Sequence, residues 1–218
     1  MYFEYGDKEV DYIKRKDKKM AEAIEKIGHL HRSVDEDLFS SVIHHIIGQQ
    51  ISTAAQATIW RRMKEDIVEI IPMTICSKDT ACLQKYGMTY KKAEYIKDFA
   101  VKINNGEFDL VGLAHMEDET VKKELSSLKG IGIWTAEMLM LFCLQRSDVF
   151  SFGDLAIHRG LRMLYRHKNI DRDRFEKYRK RFTPYGSVAS LYLWAIAGGA
   201  IPELVDPAPK IKIKKIKK

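Results

Sequence analysis

Leu128-Lys129-Gly130-Ile131-Gly132-Ile133-Trp134-Thr135-Ala136 joins two apolar patterns across three residues. Before it, Val121, Leu125 and Leu128 recur at helical spacing; after it, the run from Ala136 to Leu144 reads as a second helix. Glycines on either side of Ile131 let the backbone turn through positive φ and let another surface approach closely. The second helix opens at Gly132 and Ile133, so its first amide N–H groups point outward. Those donors and the positive end of the helix form an anion site that needs no charged side chain, and a phosphate is the obvious guest. Taken alone, the same residues read more readily as a tight corner between two helices.

Working outward, Asp154 stands where another helix begins, with Leu155, Leu161 and Leu164 as its apolar positions. On its own it reads as an ordinary N-cap. Upstream, Asp35-Glu36-Asp37 starts a helix with Leu38, Phe39, Val42, Ile43, Ile46 and Ile47 on one face. Gly48-Gln49-Gln50 ends it, and Ser52 or Thr53 caps the next. Similar signals place a helix from Asp17 to Ile27, one capped by Ser77 and containing Leu83, one capped by Thr89, and one led by Asp118 into the hairpin. Asp171 starts a basic helix, and a final helix containing Trp194 stops at Gly198-Gly199. Convincing alternating strands are absent from the pattern, so the expected fold is all-α. His29 and His31 read as surface histidines, as no third metal ligand lies near them in sequence.

The 218 residues are enough for a sizeable core, and a composition of 45% hydrophobic and 31% charged residues is ordinary for a globular chain. No apolar run approaches a membrane span, and Met1-Tyr2-Phe3-Glu4 does not read as a signal peptide. Cys76, Cys82 and Cys143 form no disulfide framework, which fits a reducing cytosol. The expected location is cytoplasmic, with the nucleoid as the site of action in a prokaryote. The net charge of +7 suggests a nucleic-acid partner, but the tail 210–218 holds six lysines, and without them the charge falls to +1. DNA affinity must therefore come from where charge is placed. The tail follows three prolines and reads as a flexible arm that either adds phosphate contacts or aids solubility.

Taken together, LKGIGIWTA (128–136), DVFSFGDLAIHRGL (148–161) and Ile47-Gly48-Gln49-Gln50-Ile51-Ser52 resemble the helix-hairpin-helix DNA glycosylases, most of all their alkylpurine (3-methyladenine) branch. The resemblance spans roughly residues 8 to 200, with its parts in the family's order. It implies two helical subdomains with the hairpin and an active-site cleft between them. Residues 36–148 would form one; residues 1–35 and 149–209 would form the other. It implies that Asp154 is the catalytic carboxylate, stabilising the oxocarbenium character of the sugar as the N-glycosidic bond breaks. It places Trp134, Met138 and Trp194 at the base pocket, although Met138 reads also as packing and Trp194 as a core aromatic. It places Gln49 and Gln50 on the turn that fills the gap left by an extruded base. The DNA-binding hairpin would be Lys129, Gly130, Ile131, Gly132 and Thr135. Carbonyls of Ser126, Leu128 and Ile131 match the family's alkali-metal site, so Na+ or K+ is an expected structural ion. No other cofactor is expected, and with no cysteine after Cys143 no iron–sulfur cluster is.

Trp134 bears on the chemistry. Lyases of the superfamily carry at this hairpin position a lysine that forms a Schiff base; an indole cannot attack, but its face can bind a cationic alkylated base. His158, one turn beyond Asp154, reads as a surface residue, and Asp148 and Asp171 read as caps or surface groups. The resulting expectation is a monomeric, monofunctional glycosylase releasing 3-methyladenine and 7-methylguanine from duplex DNA, with no membrane partner. The alternatives are a glycosylase for hypoxanthine or a mismatched pyrimidine, and a non-catalytic helix-hairpin-helix module that only binds DNA. Neither a hydrolase triad nor a nucleotide-binding glycine loop is present.

Overall fold

The computed structural model describes residues 1–208, so the lysine-rich tail lies outside the described residues. Among these residues the chain forms twelve α-helices and a short 3-10 turn, with no extended strand, as the all-α reading expected. They are α1 (Asp7–Lys16), α2 (Lys18–Ile27), α3 (Leu38–Gly48), α4 (Thr53–Asp66), α5 (Pro72–Ser77), α6 (Thr80–Gln84), α7 (Tyr90–Asn104), α8 (Asp118–Ser127), α9 (Ile133–Phe142), α10 (Leu155–Tyr165), α11 (Arg172–Phe182) and α12 (Gly186–Ala197). The 3-10 turn, Gly112–His115, precedes α8.

The chain divides into two compact units. Among the described residues, one is Met1 with Ser33–Arg146; the other is Tyr2–Arg32 with residues 147–208. In the first, the face of α3 foreseen from its spacing is buried: Phe39, Val42, Ile43, Ile46 and Ile47 all leave solvent. Phe39 stacks on Phe99 of α7 at 5.1 Å between ring centroids. Val121 and Leu125 of α8 and Leu139 and Leu141 of α9 complete that core. In the second unit, Ile13, Met20, Ile157, Leu161, Phe175, Phe182, Val188 and Tyr192 are buried. There α10 and α12 cross at Gly160, where a Cβ would sit 2.4 Å from the Leu193 carbonyl oxygen.

Capping sets most helix starts. Asp17, Asp37, Ser52, Asp79, Thr89, Asp154 and Asp171 each accept a backbone N–H from the first turn they precede. Several expectations need correction. Ser77 caps nothing: it ends α5, and its hydroxyl donates back to the Thr74 carbonyl, while Asp79 caps α6. Glu117, not Asp118, is the N-cap of α8; Asp118 occupies the first helical position, where its negative charge suits the helix dipole. Helix α1 was not among the expected helices, and only Ile13 of its ten residues is buried. Its sequence is instead matched to the helix dipole, with Asp7 and Glu9 in the first turn, Lys14, Arg15 and Lys16 in the last, and Glu9 accepting the Gly6 N–H at 2.9 Å. Helix α5 is short and opens on Pro72, a residue suited to a first helical position.

Candidate functional site

The second unit carries Asp154. Its side chain is 6% exposed, and Oδ1 accepts from the amides of Ala156 (2.8 Å) and Ile157 (2.9 Å). Trp194, on α12, donates its indole N–H to the same oxygen at 3.1 Å. Three donors on one oxygen fix the plane and orientation of the carboxylate. An ordinary N-cap needs no third donor from a helix forty residues away. The segment leading to Asp154 is pinned to α12 as well. Gly186 donates its amide to Asp148 Oδ1 at 3.0 Å, Val149 donates its amide to Ser187 Oγ at 2.9 Å, and the Ser190 hydroxyl donates to the Val149 carbonyl at 2.9 Å. Asp148 thus caps α12. Ser187 and Ser190, both fully buried, are positioning residues that the sequence reading missed. The mixture of small and polar residues in Gly186-Ser187-Val188-Ala189-Ser190 was their only signal.

Two neighbours differ from expectation. Leu155 was placed on the apolar face of its helix, yet it is 84% exposed, because the first helical position points away from the α10–α12 crossing. His158, read as a surface residue, is half-buried, and its amide donates to the Asp154 carbonyl at 3.2 Å within the first turn of the helix. Its Nε2 pairs with the Phe152 carbonyl at 2.8 Å, and its ring stacks on Phe175 at 5.2 Å. Trp194 also lines a cavity of about 200 Å³ with Leu30, His31, Arg32, Leu191 and Ala195.

The first unit carries the hairpin. Helix α8 ends at Ser127, Ile131 donates its amide to the Leu128 carbonyl at 3.0 Å, and α9 starts at Ile133 with Gly132 as an N-cap that supplies no side chain. Thr135 and Ile131 are buried, and Trp134 is 45% exposed. Met138, one turn on, is only 4% exposed and belongs to the interior of its unit. Lys129 is salt-bridged to Asp98 at 2.7 Å, and that contact holds its ammonium above the usual lysine range. Gln49 donates its side-chain amide to the Gly130 carbonyl, while Gln50 is exposed with φ of 57°. The two glutamines, read alike from sequence, therefore differ: one braces the hairpin and the other projects.

The two hairpin glycines also differ. Gly130 has φ of 85°, and a Cβ there would lie 2.6 Å from the Tyr95 ring. Gly132 is in extended backbone, φ −87°, and a Cβ there meets nothing within 4 Å. Gly130→Ala should therefore lower the melting temperature, whereas Gly132→Ala should leave it unchanged. Any loss of DNA affinity in Gly132→Ala, measured by fluorescence anisotropy, then reports an outside surface approaching that backbone. Equal affinity in wild type and Gly132→Ala would remove the hairpin from the interface.

The family model of the HhH-GPD superfamily base excision DNA repair proteins matches residues 43–184, a span that holds the turn at Gln49, the hairpin and Asp154. The chain belongs to this superfamily. Among HhH-GPD relatives, a crystallised DNA-3-methyladenine glycosidase from Bacillus halodurans superposes with a TM-score of 0.84 at 33% identity, over 93% of this chain and 95% of that one. A 3-methyladenine DNA glycosylase from Schizosaccharomyces pombe, solved in complex with abasic DNA, gives a TM-score of 0.70 at 25% identity, over 88% and 97%. A candidate DNA-3-methyladenine glycosylase of Bacillus subtilis, YfjP, is 31% identical over 173 residues, 74% of this chain and 59% of its own length. The chain thus spans under two thirds of that relative.

Proposed function

We propose that this HhH-GPD chain is a monofunctional DNA glycosylase that releases alkylated purines, 3-methyladenine and 7-methylguanine, from double-stranded DNA. The observation that carries the reading is Asp154, a buried carboxylate with one oxygen held by three donors. A fixed anion of this kind stabilises the cationic sugar as the glycosidic bond lengthens, and it needs no reorganisation at that moment. The leaving base helps. An alkylated purine is already cationic, so it departs as a neutral base and needs little general-acid assistance. Trp134 offers a large exposed π face for stacking on such a base. The names of the similar proteins point to the same substrates.

DNA would be held by backbone amides of the hairpin around Gly130, Ile131 and Gly132, with Gln50 entering the space left by the extruded base. The carbonyls of Ser126, Leu128 and Ile131 would hold Na+ or K+. They fit chemically: they belong to the end of α8 and the turn after it, where carbonyl oxygens carry partial negative charge. A bound ion would supply fixed positive charge beside the phosphate.

No amine stands at the position of Trp134, and Lys129 is engaged by Asp98. The experiment is incubation of methylated duplex DNA with the protein, chromatography of the released bases, and borohydride trapping of the same reaction. Free 3-methyladenine and 7-methylguanine are expected, together with an abasic strand that breaks only after alkali or heat. Release of neither base overturns the substrate assignment. A borohydride adduct forming as fast as base release, and lost in Lys129→Ala, would make the protein a glycosylase/lyase.

A further inference from the structure

The turn between α3 and α4 is fastened from a third direction. Lys92, in the first turn of α7, donates from Nζ to the carbonyls of Ile47 (2.8 Å) and Gln49 (2.5 Å). These carbonyls close α3, where an α-helix leaves its last acceptors without an intrahelical donor and carries partial negative charge. The lysine stem is half-buried, and desolvation lowers the ammonium's pKa. A half-buried ammonium that donates to two carbonyls of one turn is an effective way to fix that backbone.

The backbone it fixes is unusual. Gln49 is extended, and Gln50 follows at φ 57°, a conformation that a non-glycine residue adopts at a cost. The Gln49 side chain, meanwhile, donates to the Gly130 carbonyl. The turn is thus tied to α7 through Lys92 and to the hairpin through Gln49, and Gln50 is left pointing into solvent. A cleft of about 390 Å³ runs beside it, lined by Gln50, Thr89, Lys91, Lys92, Tyr95 and Gly130. The Gly87-Met88-Thr89-Tyr90-Lys91-Lys92-Ala93 segment reads from sequence as a C-cap followed by an N-cap, which accounts for its glycine and threonine but not for its second lysine.

We infer that Lys92 is a positioning residue for base extrusion: its ammonium holds the strained turn so that Gln50 enters the duplex in fixed register with the phosphate-binding hairpin. This rests on the proposed glycosylase reading and adds to it the element that carries the wedge. Lys92 itself touches neither base nor sugar. Its contribution appears only where the wedge is used, on DNA with a gap to fill, and not on intact duplex.

The test is the ratio of affinities for a duplex containing a tetrahydrofuran abasic site and for the same duplex without it, measured for the full chain. It does not depend on catalysis. Gln50→Ala, Lys92→Met and the double variant form a cycle, with melting temperature as the check on folding. Lys92→Met keeps the apolar stem and removes the ammonium. It is expected to lower the ratio about tenfold while intact-duplex affinity changes less than twofold, and Lys92→Arg should restore most of the loss. In the Gln50→Ala background, Lys92→Met should cost little more, because its effect runs through Gln50. Multiplicative losses, or a folded Lys92→Met with the wild-type ratio, overturn the inference. If Lys92→Met fails to fold, Lys92→Gln, which also removes the ammonium but keeps a polar tip, carries the same cycle with the same outcomes. A wild-type protein with no preference for the abasic duplex and no base release instead defeats the glycosylase reading, a result distinguishable from failure at Lys92 alone.

Discussion

Asp154→Asn is expected to slow base release about a thousandfold while the protein folds and binds abasic DNA as before. The argument separates the two jobs of the side chain. As a cap, Asp154 presents Oδ1 to two α10 amides and to the Trp194 indole. An amide oxygen accepts the same three hydrogen bonds, and asparagine caps helices about as well as aspartate, so stability should change by no more than about 1 kcal/mol. As a charge, it has no substitute. A carboxylate about 4 Å from a developing unit positive charge is worth roughly 4 kcal/mol at an effective dielectric constant near 20, which is about three decades in rate. Removing a negative group from a DNA-facing site should, if anything, tighten binding. Single-turnover release of 7-methylguanine from duplex DNA measures the first effect, and anisotropy with abasic DNA the second. Turnover in Asp154→Asn within about threefold of wild type would remove Asp154 from the chemistry. Loss of folding instead would mean that the charge itself, not the cap geometry, holds the start of α10.

The parts of this site that were legible are those whose physics is local. The cap at Asp154, the glycine corner at Gly130-Ile131-Gly132 and the helix break at Gly48-Gln49-Gln50 each act within one turn of chain, and residue order alone exposes them. What stayed hidden depends on which helices cross. Nothing in residue order says that Trp194 reaches Asp154, that Ser187 and Ser190 pin the segment before it, or that Lys92 spans to the end of α3. A lysine beside another lysine in the first turn of a helix looks solvated until its neighbours are placed. Leu155 failed in the opposite sense: an apolar residue at helical spacing was assigned to the core, though a first-turn position at a helix tip can face outward. Gln49 and Gln50 show the limit most plainly, since adjacent identical residues were separated only by one hydrogen bond and one positive φ.

Gly160→Val is expected to be the most damaging substitution away from the reacting groups, and Gly160→Ala to be milder but of the same sign. Glycine inside a helix costs about 1 kcal/mol relative to alanine, so on helix propensity alone Gly160→Ala should stabilise α10. The environment reverses that sign. The added Cβ would lie 2.4 Å from the Leu193 carbonyl oxygen, 2.9 Å from its carbon and 3.0 Å from its Cα. All three are backbone atoms, so no rotamer change relieves the contact, and α10 and α12 must move apart. Overpacking of this kind costs about 1–3 kcal/mol, enough to cancel the propensity gain and lower Tm by several degrees in a chain of this size. Valine adds two methyl groups to the same contact and should approach loss of the fold. The functional consequence follows from the next residue. Trp194 follows Leu193, and its hydrogen bond to Asp154 is already 3.1 Å long, so widening the crossing breaks it. Gly160→Ala assayed below its Tm should therefore release 7-methylguanine more slowly than wild type, with unchanged affinity for intact duplex, because the hairpin belongs to the other unit. A Gly160→Ala protein with wild-type Tm and wild-type release would show that the two helices can separate without disturbing the carboxylate, and that Trp194 does not hold it in place.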